Sequence, residues 1–174
     1  GDPIDGSPFD NVSAAVDASN DDYTVVVGPG EFVEEPDSSD VVISITSENL
    51  TITAADGAEP TIRNNEEAGD NAPVIKSTEP ETAIEEVTVI SDDRVEGRNL
   101  GPAVSLTGKN SRISDSTLTS VVRNGNPNGV IGPDGTVNGS TIDNGSLNHA
   151  EGDAVVVRNN NFTGIQLDPE AFWT

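Results

Sequence analysis

The chain has no cysteine, one tryptophan, one tyrosine and, among 174 residues, only two lysines, Lys76 and Lys109. Each shortage excludes something. Without cysteine there is no disulfide framework and no thiolate metal site, although the absence fits several compartments. Eight lysines and arginines against 31 acidic residues leave too few cations to line a phosphate backbone, so nucleic acid is not an expected partner. No run approaches the roughly 18 consecutive apolar residues of a membrane-crossing helix. The opening GDPIDGSPFD does not read as a signal peptide, so a soluble chain without membrane insertion is expected.

What is present in excess is negative charge. The formal net charge is −23, with aromatics at 3% of residues, a composition that first suggests disorder. Val, Ile, Leu and Phe nevertheless make up 42 of 174 residues, about 24%, which lies above the level of roughly 20% below which disorder is the default. Val and Ile together outnumber Leu by 32 to 6, and β-branched side chains favour a pleated surface over a helix. The core is therefore expected to be built from strands. Dispersed carboxylates with almost no lysine suit a habitat where salt screens repulsion, since the Debye length is about 3 Å at 1 M salt against about 10 Å at 0.1 M. A halophilic protein is expected. Its β-type circular dichroism should be stable in molar salt and lost at about 0.1 M; an unchanged, equally stable spectrum at low salt would refute this reading of the charge.

The stretch VVVRNNNF (155–162) repeats the frame of VVVGPGEF (25–32). The same frame underlies SRISDSTL (111–118) and GTVNGSTI (135–142), giving the pairs Val27/Phe32, Ile113/Leu118, Val137/Ile142 and Val157/Phe162. Ile52 falls 25 residues after Val27, and Val89 falls 24 before Ile113; the 37 residues from Ile52 to Val89 then imply a loop inserted at about 63–83. A third apolar row, seven positions upstream, consists of Ile45, Leu106, Val130 and Ala150. Three short strands in 20 to 25 residues describe one coil of a solenoid. The expected fold is all-β: a single-domain right-handed parallel β-helix over 23–167, with about six coils and three short strands per coil. Asn159, Asn160 and Asn161 are expected at a corner, where Asn tolerates left-handed backbone.

A solenoid needs caps. Within the N-terminal segment 1–22, SPFDNVSAAVDAS places Phe9, Val12, Ala15 and Val16 at helical spacing, and Ser7 or Asp10 is the expected N-cap. At the other end, 168–174 carries Phe172 and Trp173, read as a cap or, like Phe9, as a contact for assembly.

AAVDASNDDYTVVVGPGEFVE resembles the opening coil of pectin-lyase-like β-helix domains of haloarchaeal surface proteins, and ENLTITAADGAEPTI resembles their second coil. GDAVVVRNNNFTG is similar to the NosD-like repeats of the same superfamily. The resemblance implies an extracellular, cell-surface or virion location. It does not choose an activity, because the fold is shared by lyases, hydrolases, adhesins and viral spikes.

Motifs for catalysis are incomplete. Polygalacturonase-like hydrolases use Asn-x-Asp, Asp-Asp, Gly-His-Gly and Arg-x-Lys. Here Asp92-Asp93 follows the strand-like VTVIS, but the one histidine, His149, lies in NHAE and Arg-x-Lys does not occur. A pectate-lyase-like site would combine Asp92, Asp93 and Asp115 with Arg94 and Arg112 around calcium; no metal site is assigned, and calcium is the only cofactor in view. Asn-x-Ser/Thr occurs at Asn11, Asn49, Asn138, Asn144 and Asn161, against about three expected from 17 Asn and 31 Ser plus Thr in 174 residues, which mildly favours a glycosylated surface.

These readings converge on a non-enzymatic extracellular structural or interaction module of a halophilic archaeon or its virus, assembling with copies of itself or with other surface or virion proteins. Two alternatives stand beside it: a polysaccharide lyase or hydrolase acting on acidic glycans, and a passive glycan-binding adhesin domain.

Overall fold

The computed structural model describes residues 8–36, 41–65, 72–91, 101–120, 127–131, 136–143, 146–149 and 156–163. Asp92, Asp93, Arg94, Asn144, Ala150, Phe172 and Trp173 lie outside them. Helix α1 (Val12–Asp17) comes first, and the strands that follow come in threes. These are β1 (Thr24–Val27), β2 (Glu31–Glu34) and β3 (Ile43–Ile45); β4 (Thr51–Ala54), β5 (Thr61–Asn64) and β6 (Ile75–Ser77); and β7 (Ala83–Glu85), β8 (Thr88–Ser91) and β9 (Val104–Leu106). Then come β10 (Arg112–Ser114), β11 (Thr117–Ser120) and β12 (Pro127–Ile131); β13 (Thr136–Asn138), β14 (Thr141–Asp143) and β15 (Ser146–His149); and the pair β16 (Val156–Arg158) and β17 (Asn161–Thr163). First members form one six-stranded sheet, second members another, and third members a five-stranded sheet. All pairings are parallel, so the protein is mostly β with three parallel sheets.

Register shows what the apolar rows are. In the first sheet Val25, Ile52, Ile84, Ile113, Val137 and Val157 stand in line. In the second, Phe32, Ile62, Val89, Leu118, Ile142 and Phe162 do the same. Val25, Ile52, Ile62, Ile84, Val89, Ile113, Leu118 and Val137 are all buried. Three sequence expectations are corrected here. The row passes through Val25, not Val27, because the TVVV strand has two inward positions and Val27 pairs with Ala54 in the parallel inner row. Ile52 aligns with Ile84, not Val89, so the long interval shrinks from 37 residues to 32 (52 to 84), and the stretch expected as an inserted loop contains β6. The third row is shifted by one residue: Ile131, not Val130, aligns with Leu106, and His149 takes the next register position.

The first strands are roofed by α1, whose Val12 and Val16 are buried in the same core as Val25, Val27, Ile43 and Ile45. Its N-cap is Asn11, not Ser7 or Asp10: Asn11 is extended (φ −144°, ψ 164°) and its side-chain oxygen accepts from the Ala14 N–H at 2.8 Å. Glu34, at the inner end of β2 and 1% exposed, takes the two N–H groups before that one. Its Oε1 accepts from Val12 at 2.8 Å and its Oε2 from Ser13 at 3.1 Å. The first-turn donors that a helix cannot satisfy internally are thus tied to the strand beneath. Phe9, expected to share the helix's apolar face, is 42% exposed.

At Gly108 two passes approach closely. A Cβ built there would stand well inside contact distance of the Glu79 carbonyl oxygen in the preceding pass. No helix among the described residues is long and apolar enough to cross a membrane.

Candidate functional site

Two corners stack along the molecule, and each is marked by a column of left-handed residues. Before the first sheet the column is Asp22 (φ 66°), Asn49 (φ 51°), Glu81 (φ 60°) and Asn110 (φ 59°). Between the first and second sheets it is Glu86 (φ 57°), Asp115 (φ 49°), Gly139 (φ 66°) and Asn159 (φ 53°). Non-glycine residues adopt this conformation at a cost, and Asn and Asp do so most readily. The turn geometry repeats because each corner amide bonds to the next pass: Glu86 N–H to the Ser114 carbonyl at 3.1 Å, Asp115 to Asn138 at 2.9 Å, and Gly139 to Arg158 at 3.2 Å.

Side chains run the same way. The Val87 N–H donates to Ser116 Oγ (3.4 Å), the Ser116 N–H to Ser140 Oγ (3.3 Å), and the Ser140 N–H to Asn160 Oδ1 (2.8 Å). Asn160 Nδ2 closes the chain on the Val137 carbonyl at 2.9 Å. Ser116 and Ser140 are buried, so this ladder supplies the hydrogen bonds that turning backbone would otherwise lack. Beside it, Asn159 Nδ2 donates to Asn138 Oδ1 at 3.1 Å. At the other corner Asn49 Nδ2 donates to Asp22 Oδ1 at 2.8 Å, and the Glu48 N–H to Asp21 Oδ1 at 2.9 Å.

The residues singled out by sequence fall on this framework. Arg112 lies on the outer face of the first sheet and forms an ion pair with Glu85 of the preceding pass. Asp115 is an exposed corner residue whose carboxylate packs against Gly139. The two are not brought into one metal-binding group: among the described residues no cluster of three or more His, Cys, Asp or Glu could hold a metal ion. Of the sequons, Asn11 caps α1 through its oxygen, Asn49 and Asn138 have their side chains tied into corners, and Asn161 is exposed at the start of β17. Sequence reading missed Glu34, whose only signal was an acid in a strand otherwise alternating toward the core. It also missed the serine ladder, signalled by the Ser114-Asp-Ser and Asn138-Gly-Ser turns recurring just before a threonine.

The described strands contain four acidic residues (Glu31, Glu34, Glu85, Asp143) and four basic ones (Arg63, Lys76, Arg112, Arg158), so the whole net charge of −23 resides outside them. No family model, characterised protein or solved structure matches the chain.

Proposed function

We propose that the chain is a right-handed parallel β-helix, each set of three strands forming one coil, and that it serves as a non-enzymatic structural module outside a halophilic archaeon or on its virus. Right-handedness follows the general rule for parallel crossovers. The observation that carries the functional reading is how the polar groups nearest to chemistry are used. Arg112 is paired with Glu85, Asp22 with Asn49, and Asn138 with Asn159, each across neighbouring passes. They hold pass to pass. Six coils at a strand spacing of about 4.8 Å give a rod roughly 30 Å long, short for a saccharide groove and sufficient for a building block.

The described strands carry no net charge in total, and the charge outside them is screened when the Debye length falls to about 3 Å, which suits association in salt. Electron microscopy of the native protein in molar salt should show regular filaments or decorated particles containing copies of the chain. Isolated monomers across the accessible concentration range would overturn the assembly reading and favour a search for substrates.

A further inference from the structure

The corner between β13 and β14 contains the most reactive kind of peptide bond in the described chain. Asn138 is followed by Gly139, and a glycine offers no side chain to obstruct attack by its own nitrogen on the preceding carboxamide. In that reaction the Gly139 nitrogen loses its proton and bonds to the side-chain carbonyl carbon of Asn138. The Cγ–Nδ2 bond breaks and ammonia leaves with the proton. Water then opens the resulting succinimide to aspartate or isoaspartate, and no redox partner is needed.

Every group that must move is held. The Gly139 N–H donates to the Arg158 carbonyl at 3.2 Å, which engages the proton that must leave and fixes the nitrogen in β16's direction. The Asn138 carboxamide is fixed through its oxygen by Asn159 Nδ2 at 3.1 Å, and Asn138 is only partly exposed. The Asn138 main-chain carbonyl accepts from the Asp115 N–H at 2.9 Å and from Ser140 Oγ at 3.2 Å, so rotation about this unit is opposed by the preceding pass and from within the corner itself. The Asp115 carboxylate, packed against Gly139, also disfavours negative charge developing on the adjacent nitrogen.

We propose that Asn138 is a latent deamidation site kept unreactive by the corner ladder, with Asn159 as the positioning residue. The inference is independent of the assembly reading. It makes the last passes a chemical guard: if β16 separates from β13, the Gly139 N–H and the Asn138 amide are released together. Isoaspartate at 138 would then add a methylene to the main chain after the last residue of β13 and shift the corner and β14 against β11.

The test uses the full chain in molar salt at mildly alkaline pH and 37 °C, with a free peptide of residues 135–142 as reference. Mass spectrometry follows the mass gain and the isoaspartate content at Asn138. Folded wild type should deamidate there more slowly than the peptide by about 5- to 30-fold, the factor associated with one or two retained hydrogen bonds. Asn159→Gly keeps the left-handed corner (φ 53°) and removes only the amide donor, so it should raise the rate about fivefold with an unchanged circular dichroism spectrum. If that variant loses its β spectrum, Asn159→Asp tests the same bond, because its carboxylate cannot donate. Wild type reacting at the peptide's rate would overturn the proposal, and so would a folded Asn159 variant no faster than wild type.

Discussion

Replacing Gly108 by alanine should lower the unfolding temperature by roughly 6–12 °C, and valine there should prevent folding. The reason is a backbone contact that cannot yield. Gly108 is buried, and any Cβ would collide with the Glu79 carbonyl oxygen of the pass before it. A flexible side chain could rotate away, but this oxygen already accepts from Thr82 Oγ1 at 3.1 Å, within a turn fixed by the Glu81 N–H bond to the Lys109 carbonyl at 2.8 Å. The two passes must therefore separate locally. Overpacking of a close-packed interior costs about 1–3 kcal/mol and more where backbone must move, so alanine is assigned about 3 kcal/mol. In a domain of this size each kcal/mol moves the midpoint by about 2–4 °C. Gly28 provides the control: nothing lies within 4 Å of a Cβ there, so Gly28→Ala should stay within about 0.5 kcal/mol of wild type. Thermal unfolding of the two alanine variants side by side checks the claim, and equal midpoints would refute it.

The second large effect is expected at Glu34. Alanine removes both oxygens that accept from Val12 and Ser13, and the lost side chain leaves a void under α1. Each orphaned donor costs about 1–3 kcal/mol, which places Glu34→Ala at about 2–6 kcal/mol in total. Glu34→Gln keeps the shape and one acceptor, and should lose about 1–2 kcal/mol. The alanine variant has a further consequence. With α1 loosened, the outer edges of β1, β2 and β3 are uncovered, and an uncovered row of strand N–H and C=O groups recruits other chains. Light scattering should therefore rise in the alanine variant at temperatures where wild type stays clear. Amide hydrogen exchange at Val12 and Ser13 gives the local readout. Unchanged protection at these two amides in Glu34→Ala would show that the carboxylate does not hold the helix.

The strand rows were legible because their inward positions are filled by buried apolar side chains. Ile113/Leu118, Val137/Ile142 and Val157/Phe162 keep a spacing of five because the corner between their strands is a short left-handed turn in each case, and the aligned register preserves that spacing. The earlier passes defeated the same counting. Val25 and Phe32 are seven apart and Ile52 and Ile62 ten apart, since GPG and ADGAEP widen the corner there, and apolar spacing carries no information about how wide a polar turn will be. Counting seven positions upstream of Val137 falls on Val130, whereas Leu106 pairs with Ile131, six positions upstream, and only the pairing reveals that difference. Corner ladders were legible as composition and not as function. An Asn, Asp or Ser in a turn reads the same whether it binds a ligand, carries a sugar or bonds to the pass beside it, and the choice depends on residues 20 to 29 positions away, as between Asn160 and Ser140 or Ser116 and Val87.

The in-line register of the first sheet means that the protein's length comes in whole steps. Ile84 to Ile113 is one such step of 29 residues, entered and left through equivalent positions of the same sheet. Because each pass bonds to the one before and the one after, length can change by a complete step without re-matching the others. Every step adds about 4.8 Å. Copying or deleting such a unit is thus the natural way for three parallel sheets in this register to lengthen or shorten.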